Sequence, residues 1–294
     1  MKPFGTHQPS AAISRQVDWC QRLPANWLGK ITAACLRSRV LRQTDTALDL
    51  TLGEMRLRCH LHDSQAERSV VFFPAGWHQQ ERQWLLNALP AEGVFIDIGA
   101  HVGIHAALAA TVLNRLGTVM AIEPHPAAFE RMQFNLAATR EGLQEKPRIE
   151  TVAAAVSDES GPGQLFLHPA DLSLASLLST PSAESHIPVA VEPLLSLVKS
   201  QNLSRVDVIK CHSNGTEDRV LVPYLLDAPH HLLPHGFIIN HQAESWTLDL
   251  LAMLQQRDYH ITAQTSQSLL AQLRQPIAYQ AKAKKYKQAI PAIG

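Results

Sequence analysis

The chain has 294 residues, of which 46% are hydrophobic and 18% charged, and its 26 Lys and Arg balance its 26 Asp and Glu. That composition excludes a disordered chain and predicts a soluble globular protein with one large or two small domains, while zero net charge argues against broad electrostatic binding of nucleic acid. Four scattered cysteines (Cys20, Cys35, Cys59, Cys211) fit free thiols in a reducing, cytoplasmic setting, and neither a spanning helix nor a secretory signal is expected.

Residues 1 to about 14 are polar and proline-bearing and are expected to be loose. From Val17 to about Arg37 the spacing of Trp19, Leu23, Trp27, Leu28, Ile31 and Leu36 fits one or two short helices broken near Pro24. Ala47 to His60 holds two strand-like runs around a Leu52-Gly53-Glu54 turn, which predicts a hairpin. Another apolar run covers Ser69 to Phe73, and Gly76 to Leu89 has helical spacing. Residues 1–79 therefore form an expected cap on a domain spanning 80–263.

The stretch Val94 to Ala110 organises the rest of the chain. Val94-Phe95-Ile96 is a buried strand by its β-branched and aromatic content, and Asp97 ends it. Gly99, Ala100 and Gly103 then make a tight turn of small residues. Ile104, Leu108, Val112 and Leu113 continue at helical spacing. Glycines here let a ligand approach the main chain, and the helix start offers free N–H groups. The next strand, Thr118 to Ile122, ends in Glu123. This is about the 20-residue separation at which an acid takes both hydroxyls of a ribose. The alternative is an ordinary βαβ turn without a ligand.

The turn reads D-I-G-A-H-V-G, with Asp97 where the dinucleotide fingerprint has its first glycine. A carboxylate there repels a pyrophosphate and suits a cation. S-adenosylmethionine, with an ammonium, a sulfonium, a ribose and no phosphate, fits better than NAD. Its expected wall is Asp97, Gly99, Ala100, His101, Gly103, Glu123 and Pro124, with Ala155 and Ser157 from the following strand.

Pro126 starts a second helix through Ala137, and Ile149 to Val156 reads as a third strand whose small side chains offer a surface for adenine or simply pack closely. Strands are expected at Gln164–His168, Ile187–Val191, Val206–Lys210, Gly236–Asn240 and, at the edge, Tyr259–Thr262. Helices are expected from Pro193 to Ser200, after Gly215, and from Trp246 to Gln256. Residues 169–186 carry no clear pattern. The alternation predicts an α/β fold: a three-layer, doubly wound, mostly parallel sheet with ligand at the strands' carboxyl ends. Residues 264–294, with Arg274, Lys282, Lys284, Lys285 and Lys287, read as a solvated basic tail. Contact with an anionic substrate or membrane surface is the alternative.

Four blocks, VFIDIGAHVGIHA, AIEPHPAAFERMQFNL, AAAVSDESG and VDVIKCHSNGTE, together resemble the FkbM family of class I methyltransferases over roughly residues 80–262. The resemblance implies a Rossmann-like methyltransferase fold and S-adenosylmethionine-dependent methyl transfer, to a hydroxyl of a small molecule, sugar or secondary metabolite. The family block K-I-D-V-E-G-x-E keeps Lys210, Gly215 and Glu217, but its Asp is His212 and its first Glu is Asn214. Further departures fall near Leu195 and Asn240 and at His101. His212 and Lys210 are the expected catalytic residues, His212 as a base of pKa near ~6.5. Two other readings stay open: a decayed acceptor site in a protein that still binds the cofactor or a partner, and a structural histidine. His101 and His105 have a spacing that could suit a metal, but no third ligand lies nearby in sequence, and the lost acids argue against magnesium.

Overall fold

A computed structural model describes residues 1–168, 172–179 and 185–274. The first helices are α1 (Ala11–Cys20) and α2 (Trp27–Leu41), with N-caps Ser10 and Asn26 accepting from Ile13 and Gly29. A hairpin of β1 (Leu48–Leu52) and β2 (Met55–Cys59) comes next, turning at Gly53, as expected. The apolar run Ser69 to Phe73 falls in and just beyond a helix, α3 (Gln65–Phe72), and α4 covers Gln79–Ala88. Residues 1–7 are tied down, against expectation. The buried Asp49 carboxylate accepts from Gly5 and His7 N–H, and Arg58, paired with it at 2.7 Å, donates to the Lys2 and Pro3 carbonyls. A buried ion pair with spare donors and acceptors has to find backbone partners, and the N-terminus supplies them.

The organising unit is β3 (Val94–Ile98), α5 (Ile104–Val112), β4 (Thr118–Ile122) and α6 (Pro126–Gly142). Pro126 opens α6 as expected, capped by the His125 ring, whose Nδ1 accepts from Ala127. The expected third strand is two. β5 (Arg148–Val152) lies beside β4, and β6 (Ala155–Ser157) pairs with another sheet. Glu123 N–H makes the last β4–β5 bond, to Val152. The next N–H on that side, of His125, goes to the Glu123 carboxylate and not to β5, so the ladder ends there and the chain peels away at Ala153.

β6 joins β7 (Gly161–Leu167) and β8 (Ser185–Pro193) in a three-stranded sheet. Then come α7 (Leu194–Ser200), β9 (Val208–Cys211), α8 (Glu217–Asp227), β10 (Gly236–Asn240), α9 (Leu250–Gln256), β11 (Tyr259–Gln264) and β12 (Ser268–Leu273). α9 starts later than the expected Trp246 because the Asp218 carboxylate takes the N–H groups of Thr247 and Leu248, and Asp249 caps the helix.

The main sheet runs β11-β12-β10-β9-β3-β4-β5, parallel from β10 to β5, with β12 antiparallel to both neighbours. The expected α/β, mostly parallel architecture is what is observed. It continues past residue 263, because β12 inserts between β10 and the edge strand β11. No glycine marks that hairpin. Thr265 Oγ1 accepts from Gln267 and Ser268 N–H and closes it instead. Arg274 is the last described residue, and the four tail lysines lie outside the described set.

The cap shares one core with a face of this sheet. Ile13, Val17, Leu36, Leu57 and Phe72 are buried in the same cluster as Phe95, Ala106 and Val119. The hairpin docks on α6 through side chains that replace a neighbouring strand: Asn135 accepts from Arg58 N–H, and Thr139 accepts from Arg56 N–H and donates to its carbonyl.

Candidate functional site

β3 and β9 are neighbours, and the chain leaves them in opposite directions along the sheet, β3 toward β4 and β9 toward β10. The crevice beyond their carboxyl ends is the topological switch point where α/β sheets bind ligands. A cavity of about 800 Å³ opens there, walled by the β3–α5 turn, the ends of β4, β9 and β10, the Ala154–Val156 break, residues 173–177, and α2, α3 and Trp77 of the cap.

Asp97 and Lys210 face each other in register across β3 and β9. Lys210 Nζ donates to Asp97 Oδ1 at 2.8 Å and to the Gly99 carbonyl at 3.3 Å. Asp97 is 0% exposed. Burial holds its carboxyl above the usual carboxylate range, and the Lys210 ammonium offsets only part of that rise. Asp97 is thus not a free carboxylate beside the cradle, and its charge is met inside the protein. The electrostatic preference for a cationic ligand drawn from the sequence is weaker than expected for that reason.

Glu123 sits at the end of β4 with one carboxylate oxygen accepting from His101 N–H at 2.7 Å and the other from His125 N–H at 2.8 Å. Burial outweighs these bonds and raises its pKa to about 7. The bond to His101 also holds the β3–α5 turn, where His101 takes a left-handed conformation, φ 54°.

His212 lies just past β9 on the cavity wall. Its Nε2 lies 3.1 Å from Asn214 Oδ1. The Asn214 amide nitrogen donates to the carbonyls of Ser173 and Ala175, both at 2.8 Å, so the amide cannot be flipped without losing both bonds. Oδ1 is therefore the acceptor, Nε2 carries the proton, and Nδ1 keeps the lone pair. Burial leads in lowering the His212 pKa to about 3, with Lys210 and His78 adding to it and the Asn214 bond opposing it. The sequence expectation of an ordinary imidazole near 6.5 is thereby corrected: the ring stays neutral through the physiological range.

Of the sequence-predicted residues, the structure brings Gly99, Ala100, His101, Glu123, Pro124, Ala155, Lys210 and His212 to the one cavity. Asp97, Gly103 and Ser157 are off its wall. Gly103 packs toward Met132 of α6, and Ser157 donates to Asp158. Glu217, one of the retained family residues, is fully buried beneath the loop. It accepts from Ser213 and Gly215 N–H and from the Trp246 indole, and so shapes the turn that carries His212 and Asn214.

Sequence reasoning missed two parts of this site. One is Asn214, whose left-handed φ of 53° and two carbonyl partners make it the orienter of His212. The other is a ring cluster in which His105 lies 4.8 Å from Trp77 and 5.3 Å from His78. Burial, with Lys210 next, holds His105 well below the usual imidazole range. Only the left-handed tendency of Asn before Gly215 was a signal available in the sequence.

A family model described as the methyltransferase FkbM domain matches residues 97–261. No curated protein matches the chain. Among solved structures, the methyltransferase FkbM from Methylobacillus flagellatus KT is 16% identical and aligns over 84% of this chain and 60% of its own, with TM-score 0.40. An rRNA methylase from Streptococcus thermophilus is 11% identical over 66% of this chain and 95% of its own, TM-score 0.38. TYW2 of M. jannaschii, in complex with AdoMet, is 10% identical over 78% of this chain and 84% of its own, TM-score 0.37.

Proposed function

The chain belongs to the FkbM methyltransferase family, and from that premise we propose that it moves a methyl group from S-adenosylmethionine to a hydroxyl of a small molecule or sugar. The observation that carries the reading is the meeting of Glu123 and the Asn214-held His212 on one cavity at the sheet's switch point. The residues fit the cofactor. Each Glu123 oxygen already holds one backbone donor and has capacity for another, and a ribose diol brings two. Pro124 and Ala155 give a small, flat, apolar wall for an adenine. When bound, S-adenosylmethionine would supply a methyl group on a positively charged sulfur.

The chain's own residues then do two things. The cavity walls hold the acceptor oxygen in line, and His212 Nδ1 takes its proton. A pKa of about 3 makes the ring a weak base toward an alcohol. Toward an oxygen that is gaining a methyl it is base enough, because that oxygen becomes strongly acidic as the bond forms. Proton transfer therefore comes late. Burial, with the Lys210 ammonium next, keeps the ring neutral before the reaction, and Lys210 holds Asp97 and the Gly99 carbonyl; its role is to position.

The weak base and the absent family acids favour one alternative, a protein that binds the cofactor without transferring methyl. Calorimetric titration with S-adenosylhomocysteine, followed by radiolabelled methyl transfer into an extract of the native cell, separates the two. Saturable binding with protein-dependent labelling supports the enzyme. Binding with no labelling of any acceptor pool supports the alternative, and no binding overturns both.

A further inference from the structure

α2 presents three different faces. Gly29, Leu36 and Val40 are buried against the core. Lys30, Ala33, Ala34 and Arg37 line the cavity, Lys30 and Arg37 being exposed and Ala33 buried. The third face, next around the helix, carries Trp27, Leu28 and Ile31, which are 70%, 55% and 55% exposed. Trp27 is the most exposed large apolar side chain among the described residues, and Trp19 on α1 is exposed as well. Water gains nothing from holding such a stripe, so it marks a surface made for a partner.

The charge along the helix points to the partner. Between Asp18 and Asp45 the chain has Arg22, Lys30, Arg37, Arg39 and Arg42 and no acid, although the whole chain is neutral. A helix with Trp, Leu and Ile on one face, cations flanking it and no acid in its length matches the interface of an anionic bilayer, where indoles settle at headgroup depth and Lys and Arg meet the phosphates. No helix among the described residues is long and apolar enough to cross a membrane, so the contact is with the surface.

We propose that α2 docks this protein on an anionic lipid bilayer through Trp27, Leu28 and Ile31, with Lys30 and the neighbouring arginines on the headgroups. The same helix lines the cavity through the exposed Lys30 and Arg37, so docking sets that wall of the cavity beside the lipid surface. An acceptor hydroxyl borne on a lipid headgroup is then the substrate class that fits; this last step rests on the methyl-transfer reading, and the docking does not.

The test is co-sedimentation of the full chain with phosphatidylcholine vesicles, with or without phosphatidylglycerol at about a third of the lipid, run without cofactor. Binding to the mixed vesicles, little to phosphatidylcholine alone, and loss on going from low salt to 0.5 M NaCl are expected. The double variant Trp27→Ser/Ile31→Ser should bind at least tenfold more weakly, with unchanged circular dichroism and unchanged S-adenosylhomocysteine affinity. Absence of binding, or equal binding by parent and variant, overturns the proposal. So does a parent that ignores vesicles but self-associates through the same two residues, since that makes the face a dimer contact. Vesicle binding by a protein that fails to bind S-adenosylhomocysteine leaves the docking surface standing and removes only the methyl-transfer reading.

Discussion

The carbonyl oxygen of His212 stands 1.8 Å from the point a Cβ on Gly99 would occupy. Gly99 also has φ +65°, and the obstructing atom is backbone at the end of β9, which cannot swing aside. Gly99→Ala therefore has to part β3 from β9 at the floor of the site. We expect a loss above about 4 kcal/mol, in the range reserved for gross backbone conflict. Gly53→Ala is the control: it has a similar φ of +61° with nothing within 4 Å, and should cost only roughly 1–2 kcal/mol. Urea denaturation of the two variants checks this, and equal losses would refute the account of Gly99.

Glu123→Gln keeps one carboxylate-like acceptor and the side chain's shape, whereas Glu123→Ala strips the acceptors from both His101 and His125 N–H. If Glu123 holds a ribose, the Gln variant should bind S-adenosylhomocysteine more weakly by roughly 1–3 kcal/mol. Its unfolding midpoint should move less than that of the Ala variant. Calorimetric affinity equal to that of the parent would take Glu123 out of the cofactor site.

His212→Ala should lower the methyl-transfer rate by roughly 10²–10⁴-fold, with S-adenosylhomocysteine affinity nearly unchanged. The pH profile carries a sharper test. With its pKa lowered to about 3, His212 is already neutral at pH 5. The rate should then show no inflection from this group between pH 5 and 8. An inflection near 6.5 that vanishes in His212→Ala would mean that the ring is far less shielded than its surroundings imply. Robust, equal turnover by parent and variant would remove His212 from the chemistry.

Glu67 is 1% exposed, and burial lifts its pKa to about 7 against the bonds from His60 N–H and Ser64 and the pull of Arg131. Its folded-state pKa is raised, so the stability it contributes is complete below the unfolded value of 4.5 and is lost as pH rises through 7. Glu67→Gln escapes that loss. The variant should gain on the parent between pH 4.5 and 8, by about 3 kcal/mol at most, and the gain should disappear at pH 4. Thermal melts of both proteins across that range would show it. A difference independent of pH would mean that Glu67 is ionised as freely in the fold as out of it.

The strand–turn–helix from Val94, the acid at Glu123, the hairpin at Gly53 and the helix start at Pro126 were legible in the sequence, because each is set by local means: apolar periodicity, a glycine in a turn, a proline's fixed φ. The four sequence blocks likewise sufficed to indicate the family that the 97–261 match establishes. What could not be read were relations across the fold. Gly99 and Gly103 look like openings for a ligand, yet the space beside them belongs to His212's backbone and to Met132. Asp97 looks like a free charge until β9 sets Lys210 opposite it. His212 looks like an ordinary imidazole until burial, Lys210 and Asn214 fix its charge and its tautomer. Spacing along a chain determines which backbone shapes are cheap. The state of a side chain depends on which distant charges and carbonyls arrive within about 4 Å of it, and only the tertiary structure decides that.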